Sequence, residues 1–504
     1  MIKNKVLRRG KLIGLPSLLL LASGAKASSV DTPNIIYILA DDMGIGDIRA
    51  LNAASQIPTP ALDRMIADGM IFTDAHSNSA VSTPTRYGTL TGRYAFRSAL
   101  KKGVLTGYSA PLLEPGRETV ASLLKANGYR TACIGKWHLG LHWSKKDSTK
   151  ALYEGSEWDT TDTKNVDYEA SITGGPTDCG FDYSYILPAS LDMAPYIYIE
   201  NGKLTAPVNR HAPTWKNEEA KGMWYRHGDI ADDFSHETCL QNFTAQSVKY
   251  IHEAGKNESP FFLYFPLTAP HTPWLPSAEF RHRSNAGVYG DFVCMVDDVV
   301  RQIYKALEES GQAGNTIVVF TSDNGSMWEQ EDITAFNHRA NGIYSGAKSD
   351  IWEGGHRIPY IVTWPQKIQA GSRSAQLVCS TDLLATCAEM LQTPLAPDAG
   401  EDSYSFWSVL QGKPKGKFTL RESLISHSVE GYFAFRQGPW VLLDCKGSGG
   451  WALPEQKAGD RPSMQLYNLE EDPRQQNNLV EHHPDIVKAM KSCLEQQKMQ
   501  GRSR

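Results

Sequence analysis

Six short polar stretches of the 504-residue chain carry side chains suited to chemistry: Asp41-Asp42, Ser82-Thr83-Pro84-Thr85-Arg86, Gly135-Lys136-Trp137-His138, Ala269-Pro270-His271, Ser322-Asp323-Asn324-Gly325 and Gly346-Ala347-Lys348. Asp41, Asp42, Asp323 and Asn324 offer carboxylate and amide oxygens with no thiolate or imidazole among them, which selects calcium or magnesium over zinc. One Asp-Asp pair alone is an ordinary capped turn; two acidic pairs at matching strand ends point to a cation. By itself the second stretch reads as a helix start. Ser82 or Thr83 would be the N-cap, Pro84 fits the first turn, and Arg86, Thr89 and Leu90 follow on helical spacing. A hydroxyl there sits where backbone donors and the helix dipole favour negative charge, so the stretch also suits anion chemistry if partners arrive from elsewhere.

The elements that must hold these groups are legible around them. Short apolar strands alternate with helical segments, which predicts an α/β fold with a parallel sheet and helices on both faces. Residues 34–39 read as a buried strand running into Asp41-Asp42, and residues 130–134 run into Gly135-Lys136. Residues 261–265 lead to His271, and residues 317–321 end at Ser322-Asp323. Helices are expected from Thr59-Pro60 to Gly69, over 118–126, over 291–308 and from near Pro484. Ligands of open α/β sheets bind beyond the carboxyl ends of the strands, so the four tips should converge on one site. Lys348 sits in the glycine-punctuated SGAKSDIWEGGHR, suited to presenting a side chain into a cleft.

The chain exceeds one ordinary core, so a large domain plus a smaller one is expected. Residues 1–27 read as a signal peptide: Lys3, Lys5, Arg8, Arg9 and Lys11, an apolar run over 12–22, then Ala25-Lys26-Ala27. A secreted or periplasmic protein follows, with no membrane anchor, because no cysteine follows the run and no later segment is long enough to span a bilayer. Residues 28–395 form the expected catalytic domain. Residues 396–504, rich in Pro/Gly turns with short strands at 432–436 and 440–443, form an expected C-terminal subdomain of antiparallel sheet plus helix. Net charge is −5 with mixed signs, so no basic stripe suggests nucleic acid. Eight scattered cysteines show no metal spacing and read as buried thiols or an occasional disulfide.

Taken in order, the six stretches resemble the type I sulfatases, the formylglycine-dependent class within the alkaline phosphatase superfamily. Ser82-Thr83-Pro84-Thr85-Arg86, followed by Leu90-Thr91-Gly92-Arg93, is similar to the family's C/S-x-P-x-R with its trailing T-G-R. The resemblance covers nearly the whole mature chain, including Leu466-Tyr467-Asn468-Leu469 and Asp472-Pro473. Thr85, where serine or alanine is common, and Ser345, where arginine often precedes the glycine, depart from the pattern without touching a catalytic group. The resemblance implies an alkaline-phosphatase-like mixed, mostly parallel sheet between helices. It implies that Ser82 is oxidised to formylglycine by a serine-accepting maturation enzyme, and that Arg86 holds the resulting nucleophile. It implies one Ca2+, with Mg2+ as alternative, on Asp41, Asp42, Asp323, Asn324 and residue 82. Lys136 and Lys348 would stabilise the sulfuryl oxygens, His271 joined by Lys348 would protonate the leaving group, and His138 would be the base.

Substrate residues are harder to read. Ser190 resembles a position that contacts sulfate or substrate, and a turn serine explains it equally; Asp192 lies in the same segment. The segment around SLDMAPYIYIEN, followed by Tyr225-Arg226-His227, resembles insertions in sulfatases acting on galactose or N-acetylgalactosamine. A sulfated glycan is the expected substrate, with His338 and Arg339 as candidates for reading sugar hydroxyls. Two rivals remain: a phosphatase or phosphodiesterase of the same superfamily, and a catalytically silent glycan-binding homologue. The first wants two zinc ions and histidine ligands, and Asn324 stands where such a histidine belongs.

Overall fold

The computed structural model describes residues 32–413 and 419–504, and the expected signal peptide lies outside the described residues. Ten strands form one sheet in the order Ser372–Ser374, Met70–Phe72, Tyr360–Thr363, Thr316–Ser322, Asn34–Ala40, Phe261–Pro266, Arg130–Lys136, Tyr183–Leu187, Ile199–Glu200, Lys203–Leu204. The five strands from Thr316–Ser322 to Tyr183–Leu187 are parallel. Tyr360–Thr363 and Ile199–Glu200 flank them antiparallel. Strands covered on both faces lack polar alternation. Accordingly NIIYILA, FFLYFP and TIVVFTS are buried at every position. The sheet is mixed and mostly parallel, as expected. Six of its strands, Met70–Phe72, Tyr183–Leu187, Ile199–Glu200, Lys203–Leu204, Tyr360–Thr363 and Ser372–Ser374, were not anticipated, because such short runs carry too little periodicity to separate from loop.

Two groups of helices pack among themselves. One comprises Pro60–Asp68, Cys239–Ala254 and Gly287–Glu309; the other comprises Ser82–Thr91, Val120–Ala126 and Leu383–Met390. Pro60–Asp68 is not capped by the side chain of its own Thr59. Asp297 of the long helix instead accepts the Ala61 and Leu62 N–H groups at 3.1 and 2.8 Å, satisfying two donors left open at that helix start.

The helix at Ser82 corrects one expectation. Neither Ser82 nor Thr83 is the N-cap: extended Val81 holds that position, and Ser82 is the first helical residue. Its hydroxyl turns to Asp41 rather than to the helix's own amides.

After residue 413 a four-stranded antiparallel sheet runs Ser423–His427, Phe433–Gln437, Trp440–Leu443, Gln465–Asn468, with Pro484–Met499 packed on its two middle strands. Leu424, Phe435, Leu442, Met490 and Leu494 form a small core there, joined by Tyr94 and Phe96 from just beyond the Ser82 helix. Residues Pro33–Arg504 make one compact unit. All eight cysteines are free thiols, six of them buried. Among the described residues no helix is long and apolar enough to cross a membrane.

Candidate active site

Parallel register brings the strand tips together. Ala40 pairs with Ser322, so Asp41 and Asp323 leave the sheet side by side, and Asp323 donates its N–H to the Ala40 carbonyl at 3.0 Å. Asp41 donates its N–H to Ala269, just before His271, at 3.0 Å. Gly135 precedes Lys136 with φ +132°, and a Cβ there would lie 1.9 Å from the Pro266 carbonyl oxygen. Only glycine lets the strand carrying Lys136 approach its neighbour so closely.

From the helix side, Ser82 Oγ donates to Asp41 Oδ1 at 3.1 Å. One turn on, the fully buried Arg86 reaches Asp323 Oδ2 at 2.8 Å and lies 3.4 Å from Asp41, and it donates to the Lys136 carbonyl at 3.1 Å. One guanidinium thus ties three strand ends. Lys136 Nζ binds Asp41 Oδ2 at 2.6 Å, and Lys348 Nζ binds Asp42 Oδ2 at 2.7 Å. Burial opposes ionisation of Asp41, yet Lys136, His271, Arg86 and Lys348 hold its carboxyl well below the usual range. Burial and the neighbouring Asp41 carboxylate push Asp323 up to about 6 in spite of Arg86. Burial lowers Lys136, with Asp41 opposing, whereas the Asp42 and Asp41 carboxylates overcome burial to raise Lys348.

The two histidines differ in tautomer. His138 Nε2 lies 2.8 Å from the Leu105 carbonyl, which can only accept, so Nε2 carries the hydrogen and the buried, unpartnered Nδ1 carries the lone pair. Burial and then Lys136 hold His138 far below the usual imidazole range, and so neutral. His271 Nδ1 faces the Thr272 carbonyl at 2.6 Å and Ser190 Oγ at 3.3 Å, and its Nε2 lies 3.7 Å from Asp42 Oδ2.

The donor set fits a hard cation. Oxygens of Asp41 and Asp42 lie within 4.8 Å of each other and of a His271 nitrogen. Asn324 donates to Asp42 Oδ1 at 2.7 Å, while its own buried Oδ1 has no partner, an acceptor that a cation would satisfy. Carboxylate and amide oxygens in this number suit calcium or magnesium.

A cavity of about 420 Å³ opens above this floor, lined by Asp42, Ser82, His138, Asp192, His271 and Lys348 and walled by Trp158, Trp224, Arg226 and Trp451. Ser190 lies beneath, 3.3 Å from both Lys136 Nζ and His271 Nδ1. Asp192 holds Arg226 at 2.7 Å, and the Arg226 guanidinium stacks over Trp158 and Trp224 at 5.3 and 4.9 Å. His338 and Arg339 are not brought to this cavity. His338 is buried against Asp47 at 2.8 Å and accepts the Gln56 N–H, while Arg339 lines a separate cavity of about 520 Å³ beside Tyr344 and Arg474. The tryptophans were missed. Trp158, 46% exposed, stands between charged residues at the turn of the hairpin Glu154–Ser156/Asp159–Asp162, and its only sequence signal is an aromatic ring in a polar stretch.

A mostly parallel sheet at whose edge a helix-borne hydroxyl meets oxygen ligands, two lysines and two histidines is the arrangement of an alkaline-phosphatase-like ester hydrolase. The chain belongs to the sulfatase family, whose model, described as Sulfatase, matches residues 33–393, and it is a sulfuric ester hydrolase. It is 32% identical to an N-acetylgalactosamine-6-O-sulfatase of Bacteroides thetaiotaomicron over 92% of each chain. It is 29% identical to human arylsulfatase A, over 95% of this chain and 90% of that one. A solved structure described under the metabolism of multiple glycosaminoglycans by Bacteroides thetaiotaomicron superimposes with a TM-score of 0.80 at 31% identity, covering 93% of this chain and all of that one.

Proposed function

We propose that this sulfatase removes O-sulfate from a sulfated glycan, on galactose or N-acetylgalactosamine units, using formylglycine derived from Ser82 and one divalent cation. The observation that carries the chemistry is the hydrogen bond from Ser82 to Asp41 amid Arg86, Lys136 and Lys348. The glycan reading rests on the name of the Bacteroides relative and on the tryptophan-walled cavity.

When Ser82 is oxidised, its hydrated aldehyde supplies the nucleophilic oxygen. A cation on Asp41, Asp42, Asp323, Asn324 and residue 82 would supply charge stabilisation to that oxygen and to the sulfuryl group. Arg86 fixes the start of the helix against Asp323 and so orients residue 82. Lys136 and Lys348 face the non-bridging oxygens, where charge develops during transfer. His271 holds its Nδ1 hydrogen on Thr272 and faces the cavity with Nε2; in the imidazolium form it gives the Nε2 proton to the departing sugar oxygen and is left as the neutral Nδ1–H ring. His138 takes the proton that must leave residue 82 for sulfate to be expelled; its neutral, unpartnered Nδ1 suits that role.

Peptide mass after co-expression with a serine-competent maturase is expected to show loss of two hydrogens at Ser82. A panel of defined sulfated monosaccharides is expected to show desulfation of galacto-configured esters. An unmodified serine alongside full activity overturns the formylglycine reading and favours direct attack by serine.

A further inference from the structure

A second cluster of ligating groups shares no residue with the one around Ser82. His76 ends the short strand Ala75–His76, and Glu353 and His356 bound a single helical turn, Glu353–His356, in the segment that follows Lys348. All three are buried, and one ligating atom from each lies within 4.8 Å of the others. The two imidazoles face each other Nδ1 to Nδ1 at 3.0 Å.

Their outer nitrogens decide what those facing atoms carry. His76 Nε2 lies 2.9 Å from Asp74 Oδ1, and His356 Nε2 lies 3.1 Å from the Ile351 carbonyl oxygen. A backbone carbonyl only accepts. Asp74, ion-paired with Arg357 at 2.8 Å, is a carboxylate and likewise accepts. Each Nε2 therefore carries the hydrogen, and each Nδ1 turns a lone pair toward the other. Two lone pairs at that distance repel unless a cation stands between them.

We propose that His76, His356 and Glu353 bind a divalent ion of the zinc class in a buried structural site. Two imidazoles and one carboxylate are zinc ligands, unlike the all-oxygen set around Asp41. Metal-bound histidines characteristically donate their other ring N–H to a carboxylate or backbone carbonyl, the arrangement that Asp74 and Ile351 make here. Glu353 is likewise oriented from behind, by Arg357 at 2.7–2.8 Å. The ion would tie the strand at His76 to the segment that delivers Lys348.

The test is to express the full chain in minimal medium supplemented with cobalt(II) instead of zinc, exchange it into calcium buffer, and record metal content and visible spectrum. The expected result is one retained cobalt per chain with the d–d bands of a low-coordinate site. Both signals are expected to vanish in His76→Gln and His356→Gln while bound calcium is unchanged. Wild-type protein without bands or retained cobalt overturns the site, as do bands that persist in both variants. Should the variants fail to fold, wild-type protein grown with and without zinc decides: a higher melting temperature with zinc supports the site, and equal temperatures overturn it.

Discussion

The floor and the rim of the cavity are built by different physics. On the floor, Asp41, Arg86, Lys136 and Asp323 have no exposed surface, each sits at a strand end or within the first helical turns, and every charge meets an opposite charge within 3.4 Å. On the rim, Trp158 and Trp451 are about half exposed, at 46% and 47%, and stand on loops. Arg226 joins Trp158 to Trp224 by stacking rather than by any shared strand. Breaking one member of the floor strands a buried charge, a cost of several kcal/mol, whereas one rim contact is worth about 1 kcal/mol. On the proposed function, the floor would fix the reaction and the rim would select what undergoes it.

That contrast sets a ladder of expected effects. Ser82→Ala is expected to lower turnover of every sulfate ester by roughly 10⁶-fold, as nucleophile removal does elsewhere, with the melting temperature nearly unchanged. Turnover close to the parent's would break the assignment of chemistry to the floor. Chelation of divalent ions is expected to silence all substrates alike, with activity returned by calcium or magnesium; recovery with two zinc ions per site instead would restore the phosphatase reading. His271→Ala separates the floor from within. Proton donation is worth roughly 10²–10⁴-fold, so this variant should lose that much on a sugar sulfate and far less on a nitrophenyl sulfate. Lys136→Ala should depress both substrates to a similar degree, and equal losses for His271→Ala would move the proton donor to Lys348. At the rim, Trp158→Ala should raise KM for a sugar sulfate roughly 2- to 12-fold, the equivalent of about 0.5–1.5 kcal/mol of stacking, and leave kcat on the aryl ester untouched. A fall in kcat on both esters would make Trp158 part of the floor.

The same division governs what could be read from the residues alone. Asn34–Ala40, Phe261–Pro266 and Thr316–Ser322 announce themselves as unbroken apolar runs because both faces are covered, and the polar groups that follow them are thereby placed on one edge. The helix start at Ser82 was legible but its cap was not, since Asp41 competes for the hydroxyl from 41 residues away. His338 read as a candidate for sugar hydroxyls and is instead sequestered by Asp47 across 291 positions, a pairing that no local pattern encodes. Asp297 capping the Pro60 helix and His76 facing His356 are likewise tertiary facts, set by packing rather than by period. Trp158 left no periodic trace, because a ring on a solvent-facing turn obeys neither the helical nor the strand repeat.

The hairpin that carries Trp158 pairs with nothing but itself: Glu154–Ser156 and Asp159–Asp162 form their own two-stranded ribbon, outside the ten-stranded sheet. Lengthening, shortening or exchanging it leaves every register around Asp41 and Asp323 untouched. The wall of the cavity that Trp158 supplies is thus separable, strand for strand, from the sheet that carries Asp41 and Asp323.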